Sequence, residues 1–232
     1  MAKALLLTPF EARGLLAVDR IGFGTLIIGS EFCGNQLPAA ELLRDVKKRF
    51  PAASLWLATS LLTDKCLAGW EKLLAALRPG VVSGTVFNDW GLLPALGKAK
   101  GMKLSAGRLL MRELKRQDPE WTAAYLRKRR VEAAEADTPE LAAAARVLGL
   151  KVSSHRANTF TAVTTFCPFE RHFRHLCAHS CEGKLRELSN KHLAAPLLLA
   201  EKAYFSPSAA GKRPGPGWRE VVTLNFLPER RN

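Results

Sequence analysis

Cysteine is too sparse for a disulfide scaffold: the chain of 232 residues has five, an odd number. Secreted domains held by disulfides carry paired cysteines at much higher density, so this count points to a reducing, cytoplasmic compartment. Long apolar runs are missing as well. The longest candidate, Leu193 to Ala200, is interrupted by Pro196 and falls short of the roughly 18 residues that a membrane span requires. The first residues, Met-Ala-Lys-Ala-Leu-Leu-Leu-Thr-Pro, break at Thr8 and Pro9 before a signal-peptide core is complete. Negative charge is the scarcer sign, with 21 Asp and Glu against 35 Lys and Arg, a net charge of +14. Such an excess favours anionic partners, RNA among them, through steering and counterion release. A solvated basic shell accounts for it equally well. The charge is spread along the chain, and its densest run, Arg127-Lys128-Arg129-Arg130, falls in a helical pattern.

The hydrophobic content of 47% is enough to bury the core of one large domain. Over the first 115 residues, short β-rich runs alternate with amphipathic stretches, the pattern of βαβ units around a parallel sheet. Strands are expected at 5–7, 25–29, 54–58, 84–87 and 103–105, with helices over 11–21, 38–50 and 64–77. Five such units in succession favour an α/β fold of the (β/α) barrel type over an open sheet. Asp118-Pro119 and Thr138-Pro139 each read as a helix start, so 119–148 is expected to be two helices or one broken helix. Strands over 150–153 and 160–166 should follow, then a helix over 184–199, a Pro- and Gly-rich loop over 206–217, and a closing strand over 218–226. The whole of 1–232 is thus expected as a single barrel domain, with 160–232 carrying the cysteine cluster, the loop and the closing strand.

Three of the five cysteines and three of the five histidines lie between Cys167 and Cys181. Cys177 and Cys181, four residues apart, would share one face of a helix, and Pro168 would close a loop around Cys167. In a barrel, ligands gather at the carboxyl ends of the strands. Cys33 follows the second expected strand there, flanked by Gly34 and Asn35. Cys33, Cys167, Cys177 and Cys181 make a set of four thiolates that suits tetrahedral zinc or an iron-sulfur cluster. Structural zinc sites usually pair close cysteines twice, so a fourth ligand this remote favours the cluster. Cys66, on an apolar stripe with Trp70 and Leu73, is expected in the core. Asn88 and Asp89 follow another strand and are catalytic candidates or helix caps. Arg108 could hold an anionic substrate or an ion pair. His172, His175 and His179 would line one helical face, and with Arg171 and Arg174 between them they read as a polar surface.

Several stretches resemble the peptidase U32 family in the same order: Thr25 to Gly34, Val86 to Leu92 (Val-Phe-Asn-Asp-Trp-Gly-Leu), Leu104 to Met111 (Leu-Ser-Ala-Gly-Arg-Leu-Leu-Met) and Ala162 to Cys181. The family is named for proteases and contains many iron-sulfur proteins. The resemblance implies that Cys33, Cys167, Cys177 and Cys181 ligate a [4Fe-4S] cluster in an α/β barrel. It further implies oxygen-independent hydroxylation of a ubiquinone precursor, carried out with a second U32-family protein. Members that hydroxylate RNA bases supply an alternative substrate, and a zinc-stabilised RNA-binding protein would use the same thiols. The family name would imply peptidase activity, but no Ser/His/Asp arrangement can be assembled from the spacing.

Overall fold

The computed structural model describes residues 2–99, 101–156, 158–173, 177–207 and 217–223. Seven strands come first: β1 (Ala2–Leu7), β2 (Thr25–Gly29), β3 (Ser54–Ala58), β4 (Gly84–Phe87), β5 (Lys103–Ala106), β6 (Val131–Ala136) and β7 (Lys151–His155). Then come β8 (Asn158–Val163), β9 (Arg186–Leu188), β10 (Leu197–Ala200) and β11 (Ala203–Pro207), which form a separate antiparallel sheet in the order β8-β11-β10-β9. The last, β12 (Arg219–Thr223), pairs in parallel with both β1 and β7 and closes an eight-stranded barrel, β1-β12-β7-β6-β5-β4-β3-β2.

Helices fill the crossovers: α1 (Pro9–Leu15), α2 (Ala40–Arg49), α3 (Asp64–Ala76), α4 (Leu93–Lys98), α5 (Arg108–Leu114), α6 (Pro119–Lys128) and α7 (Pro139–Val147). Their starts carry the expected signals. Thr8 caps α1 in a reciprocal box with Glu11, Asp118 accepts from the Trp121 amide, and Thr138 accepts from the Leu141 amide. Period-two alternation divides the strands between two cores. Leu5, Leu7, Leu26, Ile28, Leu55 and Leu57 face the helices, while Ala4, Leu6, Ile27, Trp56, Ala58 and Val86 fill the barrel. Gly29 ends β2 at φ +130, and a Cβ there would collide with the Ala58 carbonyl oxygen. Only glycine fits that close approach.

Five expectations fail for identifiable reasons. Helix α1 stops at Leu15, because Gly14 weakens it and the amide of Leu16 turns back to Arg13 and Gly14. Residues 131–136 form β6 although Val-Glu-Ala-Ala-Glu-Ala favours a helix, since pairing with β5 and β7 overrides propensity. The helix expected over 184–199 is β9 and β10 instead: Pro196 bars a continuous helix, and Leu197–Ala200 pairs with β11 across a two-residue turn in which Glu201 has φ 54. Ser206 and Pro207 belong to β11 rather than to a loop, and 208–216 of that loop, like 224–226 of the closing strand, lie outside the described residues. No helix forms across Cys177–Cys181, where the described backbone is irregular and His179 has φ 59. Among the described residues, no helix is long and apolar enough to cross a membrane.

The antiparallel sheet packs over the barrel mouth. Phe160, Leu198, Ala200, Ala203 and Phe205 bury against Phe32 from the loop after β2 and Leu109 from α5. Phe32 stacks on Phe160 at 4.7 Å and meets Phe205 edge-on at 5.3 Å. Arg112 of α5 donates to the Phe160 and Thr161 carbonyls and lies 4.1 Å over the Phe160 ring. The Phe160 amide in turn donates to Asp137, just after β6, at 2.8 Å.

Candidate functional site

This lid sheet carries the late cysteines back over the loop that holds Cys33. In that loop the Ser30 hydroxyl accepts from the amides of Phe32 and Cys33, both at 3.0 Å, which fixes the turn and buries the Cys33 thiol. The Gln36 side-chain amide then reaches Cys181 Sγ at 3.9 Å, joining the loop after β2 to the segment between β8 and β9. Cys167 is buried on an isolated bridge with His172, its amide donating to the His172 carbonyl at 2.7 Å.

Cys177 and the backbone from Ala178 to Ser180, just before Cys181, are arranged by Glu170, which the sequence reading did not single out. This carboxylate accepts from the amides of Ala178 (3.1 Å) and Ser180 (2.9 Å), the Ser180 hydroxyl (3.2 Å), the His172 ring (2.8 Å) and the Cys177 thiol (3.3 Å). The Ser180 amide and the His172 ring hold its pKa far below the usual carboxylate range. The histidines do not form a helical stripe: His172 bonds Glu170, His179 lies 3.7 Å from Glu182, and His175 is outside the described residues.

All five cysteines are free thiols. Burial pushes the Cys33 thiol well up, and burial raises Cys181 to about 12. The nearby Glu201 carboxyl pushes both further up. Gln36 ties the Cys33 loop to Cys181, since its backbone amide donates to the Cys33 carbonyl at 3.1 Å. Among the described residues, no three His, Cys, Asp or Glu side chains stand ready arranged to hold a metal ion. By type, however, the donors fit a thiolate-bound centre. Thiols such as Cys33 and Cys181, which burial keeps protonated, ionise readily only when a cation such as iron or zinc binds them.

Cys66 is not a core residue. It is half-buried on α3, and its thiol faces Asn35 Oδ1 at 3.8 Å, because the helix turns that edge toward the Cys33 loop. Asn88 is buried and structural: it donates to the Thr59 carbonyl at 2.7 Å and accepts from the amides of Leu109 and Leu110 at the start of α5. Asp89 is a cap, accepting from the amides of Gly91 (2.7 Å) and Leu62 (2.9 Å). Arg108 is buried in an ion pair with Glu31 at 2.7 Å and stands 3.5 Å from Asp137.

That pair belongs to a buried charge network that sequence reasoning missed. Glu135 accepts from Ser105 (2.7 Å) and Arg219 (2.8 Å) and meets His155 Nε2 at 2.8 Å. Burial alone would raise Glu135, yet Arg219, His155 and Ser105 hold it at about 2. A small cavity of about 40 Å³ lies at the mouth, lined by Thr8, Glu11, Ser30, Glu31, Arg108 and Glu201 among others. Glu201 accepts from Ser30, and burial raises its carboxyl to about 8. The only available signal for the network was polar residues at strand ends, and spacing does not reveal which of them meet.

Two larger hollows flank the cysteine region. One of about 500 Å³ runs beside Phe32, Gly34, Leu61, Cys66, Phe173 and Lys202. The other, about 430 Å³, is lined in part by Trp90, Arg112, Arg116 and Phe160. They share Leu61, Leu109 and Val163, so they adjoin as an apolar trough with arginines at its far end.

The strand pairing and the helices between the strands define an eight-stranded α/β barrel with a lid sheet inserted before its last strand. No protein-family model matches the chain, and no curated protein matches it either. Similar solved structures include a mandelate racemase/muconate lactonizing enzyme from Roseiflexus sp. at 16% identity and TM-score 0.45, over 66% of this chain and 47% of that one. A putative lyase/mutase from Burkholderia cenocepacia J2315 is similar at 14% identity and TM-score 0.45, over 70% of each chain. A mandelate racemase/muconate lactonizing protein from Paracoccus denitrificans PD1222, complexed with magnesium, is similar at 15% identity and TM-score 0.40, over 67% of this chain and 47% of that one. The match thus spans about half the length of the Roseiflexus and Paracoccus proteins.

Proposed function

We propose that this chain is a cytoplasmic iron-sulfur protein of the U32 kind, in which Cys33, Cys167, Cys177 and Cys181 hold a [4Fe-4S] cluster. In this reading it works with a related second subunit in the oxygen-independent hydroxylation of a ubiquinone precursor. The observation that supports the reading is Gln36, whose backbone amide donates to the Cys33 carbonyl at 3.1 Å while its side chain reaches Cys181 Sγ at 3.9 Å, so that the Cys33 loop lies against the segment bearing the late cysteines. When bound, the cluster would supply electron transfer or cross-linking. The residues around it have separate tasks: Ser30 and Glu170 set the thiol-bearing loops, and the lid restricts water. The apolar trough beside Cys33 suits a ring bearing a long apolar chain, since small-molecule sites are concave and largely apolar. A second reading, hydroxylation of an RNA base, is favoured by the net charge of +14.

Anaerobic purification with metal and sulfide analysis tests the proposal. About four iron and four sulfide per chain are expected, with broad absorption near roughly 400 nm. One zinc per chain without sulfide would overturn it in favour of a zinc-stabilised protein.

A further inference from the structure

Outside the barrel mouth, α6 places Trp121 and Tyr125 four residues apart on one helical face, with Arg129, its C-cap, four residues further on. The Trp121 indole lies nearly parallel to Tyr125, with centroids 5.2 Å apart and planes at 15°. The Arg129 guanidinium sits 5.4 Å from the centre of the Tyr125 ring, and Trp90, after β4, meets that ring edge-on at 5.5 Å. These rings are not core: Trp121 is 61% exposed and Trp90 39%. Between them lies a hollow of about 340 Å³ lined by Trp90, Glu113, Leu114, Gln117, Trp121 and Tyr125. Each of Arg127, Lys128, Arg129 and Arg130 is exposed where the helix ends.

We propose that this face is a binding site for single-stranded nucleic acid. A base enters the hollow and stacks on the Trp121–Tyr125 ladder, Gln117 and Glu113 are placed to hydrogen-bond its edge, and the run from Arg127 to Arg130 neutralises the flanking phosphates. The chemistry favours this occupant over a protein. Flat aromatic faces beside a dense set of cations of one sign are how sequence-tolerant single-strand sites are built, whereas a protein-docking patch needs a broader apolar centre with a mixed polar rim. A duplex is excluded because its bases are already stacked on one another. The site does not depend on the cysteines or on any metal.

Fluorescence anisotropy with labelled oligouridylate and oligothymidylate of about 12 nucleotides tests the site across roughly 50 to 200 mM salt. Trp121→Ala and Tyr125→Ala should each weaken binding about tenfold while leaving the salt dependence unchanged. Replacing Arg127, Arg129 and Arg130 together by Gln should lower the log–log salt slope by about 2, at roughly 0.7 per phosphate contact on a single strand. Trp121 is largely exposed, so the circular dichroism and thermal midpoint of its variant should match the wild type. Tighter binding of the oligouridylate would identify RNA as the natural source, and equal binding of the two would identify single strands generally; both uphold the site. Wild-type affinity in both ring variants would overturn it, because binding would then reflect only the diffuse positive charge. Absence of binding at low salt would overturn it too, as would ring variants that lose a protein partner but keep the oligonucleotides.

Discussion

Glu170 holds the cysteine loop in shape without being one of the thiols. Glu170→Ala removes the acceptor from five donors, so, on the proposed cluster reading, iron retention should fall sharply while the urea midpoint of the barrel stays near the wild type. Cys33 and Cys66 should also behave differently. Cys33→Ser replaces a soft thiolate by a hydroxyl at the buried loop and should lose iron and visible absorbance. Cys66→Ser, at a half-buried site beside Asn35, should keep both and change stability by less than about 1 kcal/mol. Full iron in Cys33→Ser together with loss in Cys66→Ser would transfer the ligand role to α3. Glu135 sets an acid limit. Its folded pKa of about 2 lies below the ordinary 4.5, so its stabilisation is fully present above pH 4.5 and is lost as pH falls from there towards 2. Urea unfolding between pH 5 and 3 should therefore show a shallower pH slope in Glu135→Gln, although that variant is weaker throughout because Arg219 loses its ion pair. The loop position of Cys33 was legible because the apolar run of β2 ends before it. Glu170 was not, because its meaning depends on amides that converge only after the loop has folded.

At the level of elements, strands were readable where apolar runs met turn residues, and β2, β3 and β4 have the expected limits. The lid was harder to read. Its short strands are antiparallel pieces joined by turns, and Leu197–Ala200 alone cannot be told from a buried helix segment by periodicity. β6 was missed because alanine and glutamate favour helices wherever neighbouring strands do not decide the matter. The lid is held to the barrel by the Phe32–Phe160–Phe205 cluster, with Phe205 buried. Phe205→Ala should cost roughly 3–5 kcal/mol locally and speed proteolysis between β8 and β11, with helical circular dichroism largely retained. A cleavage pattern unchanged from the wild type would mean that the lid is anchored elsewhere, with Arg112 as the next residue to test.

Across the whole molecule, the alternation of strands and helices made the barrel class legible, because each βα unit repeats the same local pattern. The barrel mouth was legible only in part: the loop after β2 could be placed there, but the charge network joining Glu31, Arg108, Glu135, His155 and Arg219 depends on strand order, which spacing does not report. One topological fact bears on how the chain is made. β12 lies between β1 and β7, so a growing polypeptide that has delivered the first seven strands still shows two unpaired edges. Such edges recruit other chains, and the lid strands must be synthesised before the strand that covers them. Biogenesis thus has a vulnerable interval, during which prompt synthesis of the final segment, or a chaperone shielding β1 and β7, decides between a closed barrel and an aggregate.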